Sequence, residues 1–198
     1  MNEGGNVRAS SHLTTVMYIE RLQGDEGVER IYGAISIAEA DLLRKLRAND
    51  WCPLPAYCNY MLAADEIYGQ GDLALCRELG HASARWQIPG LVRAAMRMFS
   101  PLQMLNHLQS GWSRMMDRGR AEATQTGDTS IVLRIHEFDP FHRAVCERLC
   151  GFFGATVEMT GGRNPSVAHS RCVATGNLVC EWAISWLQRR PTLGSRDS

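Results

Sequence analysis

The hydrophobic pattern changes period near Gly119, and that change restricts the chain to a fold with a helical part followed by a stranded part. Before Gly119, apolar residues recur at helical spacing. A first helix starts at Ser11 as its cap and closes near Gly24, and a second carries Val28, Ile31, Tyr32 and Ile35. Ser36, with Glu39 three residues on, forms a capping box for a third, whose apolar side is Leu42, Leu43 and Leu46. The prolines of the Trp51-Cys52-Pro53-Leu54-Pro55 stretch break it, since helical geometry is disfavoured just before proline. Further helices are expected over 56–68, from Gly71-Asp72 toward Trp86, from Pro89 through Phe99, and from Ser100-Pro101 to Gly119. The last carries Leu102, Leu105, Leu108, Trp112, Met115 and Met116 in one stripe. Such a stripe reads either as plain core or as the wall of an apolar cavity.

After Gly119 the pattern shortens. Residues 131–138 read as a strand, and Asp139-Pro140 opens a helix with Phe141, Val145, Leu149, Phe152 and Phe153. A strand is expected over 155–159, then a turn over 161–165. Two more strands, 167–173 and 179–186, flank a hairpin loop. The expected fold class is α+β: an N-terminal helical region, then an antiparallel sheet with a packed helix. One ligand-binding-type domain, 10–189, is expected between flexible tails at 1–9 and 190–198.

Composition narrows the function classes. A chain of 198 residues can bury a core without disulfides. Its 21 basic residues balance 21 acidic ones, which argues against a nucleic-acid binder, since that role needs a basic face. No run approaches the roughly 18 apolar residues of a membrane span, and the polar N-terminus lacks a secretory pattern. Lys45 is the sole lysine, which fits the base composition of a GC-rich bacterium. The expectation is a soluble, cytoplasmic bacterial protein. Seven cysteines, an odd number, then point to thiols, metal ligands or a redox site rather than a disulfide framework.

A hairpin centred at Gly176 would set Cys172 opposite Cys180, with Cβ atoms about 4.5–5.5 Å apart. It would also pair Ser170 with Trp182 and Ala168 with Ile184, burying Trp182, Ile184 and Trp186. Cys146 and Cys150 stand four apart on the preceding helix and share one side of it. Packed on the sheet, that helix would bring four thiols together. The readings are a zinc site, a set of buried reduced thiols, or a cross-strand disulfide.

The stretch from Arg120 to Leu187 resembles the 4-vinyl-reductase domain, a family that includes the sensor halves of bacterial phenol-responsive transcription activators. Those sensors hold zinc through a helix cysteine, an acidic residue and two hairpin cysteines, spaced Cys-x22-acid-x2-Cys-x7-Cys. This chain matches at Cys146, Cys172 and Cys180, with His169 in place of the carboxylate. The resemblance implies a structural zinc on Cys146, His169, Cys172 and Cys180. On a regular strand His169 and Cys172 would face opposite ways. Ligation by both requires a bulge or an irregular strand end; otherwise Cys150 or His142 is the better fourth ligand.

A second resemblance rests on Trp51-Cys52-Pro53-Leu54, Gly71-Asp72, Glu78-Leu79-Gly80, and Ser100-Pro101 with Trp112 and Gly119. Together these motifs are similar to an uncharacterised myxobacterial paralogous family. Both families are related to a fold group that includes haem nitric-oxide sensors and TRAPP vesicle-transport subunits. That relation implies an α+β domain enclosing an apolar ligand or a lipid chain.

Catalytic signatures are missing. The sequence has no Gly-x-Ser-x-Gly elbow, no phosphate-binding Gly-rich loop ending in Gly-Lys-Ser/Thr, and no His-Glu-x-x-His helix. Asp65 and Glu66 are adjacent and diverge on a helix. His81, His107 and His136 read as surface or core residues. A haem sensor would use such a histidine as axial ligand, but the Tyr-x-Ser-x-Arg motif of the haem nitric-oxide family is missing. His107 and Trp112 lie nearest the apolar stripe and are the candidate ligand contacts. The expectation is a non-enzymatic sensor or binding module for a small apolar or aromatic molecule, acting as a homodimer or through a separate output partner. The alternatives are a TRAPP-like subunit with a lipid-filled or vestigial cavity, a haem sensor, or an enzyme acting on a tetrapyrrole.

Overall fold

A computed structural model describes residues 5–88, 90–96, 98–103 and 107–188. The fold is α+β, with helices first and the larger sheet last. The order is β1 (Asn6–Arg8), α1 (Ser10–Ala34), α2 (Ile37–Lys45), β2 (Trp51–Pro53), α3 (Leu54–Tyr68), α4 (Ala74–Gln87), α5 (Gly90–Met96) and α6 (Leu108–Met115). There follow β3 (Arg120–Gly127), β4 (Ser130–His136), α7 (Arg143–Met159), β5 (Arg163–Arg171), a 3-10 turn (Val173–Thr175) and β6 (Cys180–Leu187).

In the helical half, α1 is kinked at Gly24, whose φ of 69° takes it out of helical geometry near the expected boundary. Ala9, not Ser11, occupies the N-cap, and Ser11 is buried one residue inside the helix. The Ser36–Glu39 capping box of α2 forms as the sequence indicates. Residues 6–8 are not a solvated tail. They pair antiparallel with Trp51–Pro53, Val7 is buried, and Asp117 accepts from both the backbone and the side-chain amide of Asn6. The other expected tail, 190–198, lies outside the described residues. The long helix expected from Ser100 is shorter: Ser100 and Gln103 close a local turn, and α6 begins at Leu108. Leu105 of the stripe lies outside the described residues.

In the C-terminal half, four antiparallel strands run in the order β3-β4-β6-β5. The inner face carries Ile131, Leu133 and Ile135 with Cys180, Trp182, Ile184 and Trp186. The expected strand over 155–159 is instead the last turn of α7. Ala155 and Val157 face the core within a helix whose buried residues recur at helical spacing, so packing overrides their local strand character. β3 escapes sequence reading because it is a mostly exposed edge strand of polar residues.

Helices α4 and α7 cross at their glycines, which joins the two halves. A Cβ on Gly80 would collide with the Arg148 carbonyl, and one on Gly151 with the Arg77 carbonyl. No described helix is long and apolar enough to cross a membrane.

Candidate metal centre

Three elements bring the cysteine constellation together. α7 supplies Cys146 from its sheet-facing side, β5 supplies His169, and the turn joining β5 to β6 supplies Cys172 and Cys180 at its two ends. One donor atom from each of the four lies within 4.8 Å of every other. Cys146 Sγ stands 3.8 Å from Cys172 Sγ and 3.7 Å from Cys180 Sγ. Ligands at a Zn–S distance of about 2.3 Å in a tetrahedron place their sulfurs about 3.8 Å apart. The spacing therefore suits a tetrahedral thiophilic ion. His169 Nε2 is buried and has no hydrogen-bond partner among the described residues, an orphan that a metal would satisfy.

The backbone resolves the alternation problem posed by His169 and Cys172. His169 pairs with Trp182, but the register slips between His169 and Arg171, and β5 ends at Arg171. Cys172 then sits outside the strand as the cap of the 3-10 turn. The slip also corrects the expected pairing: Val167, Ala168 and His169 lie opposite Ile184, Ala183 and Trp182, one residue away from a regular hairpin centred on Gly176. Gly176 ends the turn at φ 89°. The Cys172 carbonyl accepts from the amides of Thr175 and Asn177, the Thr175 hydroxyl and the Asn177 side chain, which holds the turn shut.

The surroundings favour thiolate at two of the three sulfurs. Cys146 donates to Cys180 and shares a hydrogen bond with Cys172, which drives its own thiol pKa far up. The hydrogen bond from Cys146 lowers Cys180 to about 5 against the opposing effect of burial, with help from His169 and the Val173 amide. Cys172 comes down to about 7 for the same leading reason. The His169 ring stacks on Trp182 with centroids 5.0 Å apart, and the Trp182 indole donates to the Cys146 carbonyl. Trp182 thereby orients one ligand by its face and another by its edge. Its register position opposite His169 was invisible without the bulge.

The other fourth-ligand candidates are placed elsewhere. His142 caps α7, its Nδ1 accepting from the Ala144 amide. Cys150 is buried outside the cluster, and burial pushes its thiol up to about 12. Of the candidate ligand contacts, Trp112 is buried edge-on against Phe138, with centroids 5.0 Å apart, and its indole donates to the Arg118 carbonyl. His107 is exposed at the N-cap of α6. A cavity of about 270 Å³ opens beyond Phe138, walled by Leu54, Met116, Phe138, Val173 and Leu178 and rimmed by Asp117, Arg118 and Asp139; neither Trp112 nor His107 is part of its lining. Val173 and Leu178 belong to the turn that carries the cysteines. A wider groove of about 700 Å³ between α4, α7 and β5 is lined by Arg77, Glu78, His81, Arg143, Glu147 and Glu158 among others.

A helical half set on a four-stranded antiparallel sheet with one long packed helix is the fold of H-NOX domains. The chain is similar to the Fe(II) unliganded H-NOX protein from K. algicida, with a TM-score of 0.70 at 8% identity over 92% of this chain and 98% of that one. It is similar to the S. oneidensis H-NOX protein in the Fe(II)NO ligation state, with a TM-score of 0.63 at 9% identity over 91% and 99%. An oxygen-binding H-NOX domain related to soluble guanylate cyclases scores 0.60 at 11% identity over 90% and 94%. Residues 58–187 match the model of the family described as protein of unknown function (DUF2378), and the chain belongs to that family. No curated protein matches it in sequence.

Among the described residues, neither cavity presents an unpaired histidine to an apolar wall, as an axial haem ligand would require. The one fully buried imidazole in the helical half, His12, bonds Tyr32 through Nε2 and is ringed edge-on or nearly so by Tyr32, Tyr57 and Tyr60. His81 sits in a charged groove and pairs with Glu158 at 3.0 Å. The 270 Å³ cavity has no histidine in its wall.

Proposed function

We propose that the protein is a non-enzymatic sensor module for a small apolar or aromatic molecule, with a structural zinc closing its C-terminal hairpin. The convergence of Cys146, His169, Cys172 and Cys180 within 4.8 Å carries the zinc part of this reading. The resemblance to the 4-vinyl-reductase domain supports it, with His169 replacing a carboxylate by an equally competent zinc ligand. When bound, zinc would cross-link α7 to both ends of the 172–180 turn. That turn supplies Val173 and Leu178 to the neighbouring cavity, so the metal would hold one wall of the ligand site. About 270 Å³ suits a single aromatic ring, given that a cavity of ~150 Å³ admits benzene.

Trp112 acts here through Phe138, the wall residue it packs against, whereas His107 stands at the opposite end of α6 from the cavity. A ligand would act by binding one arrangement of the module better than another, and the output would pass through a second copy or a separate protein.

Metal analysis of the purified protein tests the centre. One zinc per chain is expected, falling to a small fraction in Cys172→Ser. Stoichiometric zinc that survives that substitution overturns the assignment, as does a metal-free wild type that takes up no added zinc. Native mass spectrometry with phenol as probe tests the cavity. A saturable single adduct that Trp112→Ala weakens is expected, and an unchanged adduct removes Trp112 from the site.

A further inference from the structure

Arg148 lies on the opposite side of α7 from the cysteine cluster, buried in the helical core with 3% of its surface exposed. Among the described residues its one hydrogen bond runs from Nη2 to Ser83 Oγ at 2.6 Å. Its guanidinium carbon stands 5.5 Å from the Tyr57 ring, and its Nε is buried without a partner. Neighbouring Glu147 is committed elsewhere, to Arg77 and Arg143. A guanidinium stays charged at any ordinary pH, so burial without a counter-ion is strongly unfavourable. Native cores avoid that state by pairing the charge.

The surroundings are polar and short of partners. Ser83 links Arg148 to Thr14 at 3.0 Å, and Thr14 donates to the Ser11 carbonyl. The Tyr57 hydroxyl meets that same carbonyl and Thr15. Ser11 Oγ, His12 Nδ1 and Tyr60 OH, all from this core, are likewise buried with no partner. Four orphaned polar atoms on α1, α3 and α7, one of them cationic, each call for an explanation.

We propose that Arg148 is the anchor of a second, buried site, which takes the carboxylate group of a small organic acid. The guanidinium fork offers its unused N–H groups in the planar geometry that matches a carboxylate. Ser11 Oγ and Tyr60 OH, the hydroxyls not already spent on a protein acceptor, are the neutral donors left for the anion. The site is separate from the metal centre and from the 270 Å³ cavity, so its fate does not bear on the zinc reading.

Thermal melts of the full chain in sodium acetate, against sodium chloride at equal ionic strength, test this. Wild type is expected to show a saturable rise in Tm with acetate over chloride, absent in Arg148→Met. Isothermal titration with acetate at neutral pH is expected to give one site, weakened at least tenfold in Arg148→Lys, which keeps the charge but loses the fork. Should Arg148→Met fail to fold, the wild-type and Arg148→Lys titrations decide. No acetate response beyond chloride in wild type overturns the proposal, and so does an equal response in either variant.

Discussion

His12 shows what burial does to a single side chain. Wrapped by Tyr32, Tyr57 and Tyr60 and cut off from water, its imidazole is held neutral, with the pKa lowered from 6.5 to about 4 by desolvation. The unfolded chain therefore binds a proton below pH 6.5 that the folded chain refuses until about pH 4. Stability is unaffected by this group above pH 6.5, declines as the pH falls through that window, and levels off below it. The full effect is on the order of 3 kcal/mol. Urea unfolding from pH 7 to pH 4 should show this loss, and His12→Gln should flatten the slope; an unchanged slope would remove His12 as its source. Single residues also mark the limit of sequence reading. Cys146, Cys172 and Cys180 were legible as a set through their spacing, whereas His12 and Arg148 look like ordinary polar helix residues until four helices close around them.

At the scale of elements, local signals succeeded where the chain's own chemistry sets the geometry. The Ser36–Glu39 box and the break at Gly24 are examples, because side-chain caps and glycine act over a few residues. Reading failed where a partner element decides. Residues 155–159 have strand-like composition but complete α7, which is clamped against α4 through Gly80 and Gly151. Ala at either glycine would drive a methyl group into a helix backbone. Gly80→Ala and Gly151→Ala should each destabilise by about 3 kcal/mol or more, read as a fall in the midpoint of denaturant unfolding, whereas exposed Gly111→Ala should cost nothing comparable. A similar midpoint for all three would show that α4 and α7 can slide apart. The bulge after His169 is the subtler case. Sequence arithmetic stated that ligation by both His169 and Cys172 needs an irregular strand end, and the slip between His169 and Arg171 provides one.

Across the whole molecule, α7 binds the two halves. One side carries Cys146 into the hairpin, and the other carries Arg148 into the helical core. If zinc cross-links the hairpin, chelation should act locally first. Hydrogen exchange after treatment with a zinc chelator should speed up in residues 172–180 by tenfold or more, while α1 and α3 stay protected by their own buried core. Uniform deprotection of both halves would show instead that the metal supports the entire fold.

The sequence by itself determined the class of fold, the order of its halves and the identity of the clustered cysteines, because hydrophobic period, caps and ligand spacing are properties of short stretches. Tertiary structure alone decided the rest: the pairing of residues 6–8 with 51–53, the edge strand β3, the role of Trp182 beneath His169, and the burial of His12 and Arg148. Each of these depends on what a distant segment places opposite, and a residue's burial and charge balance are set by neighbours that its own surrounding sequence does not contain.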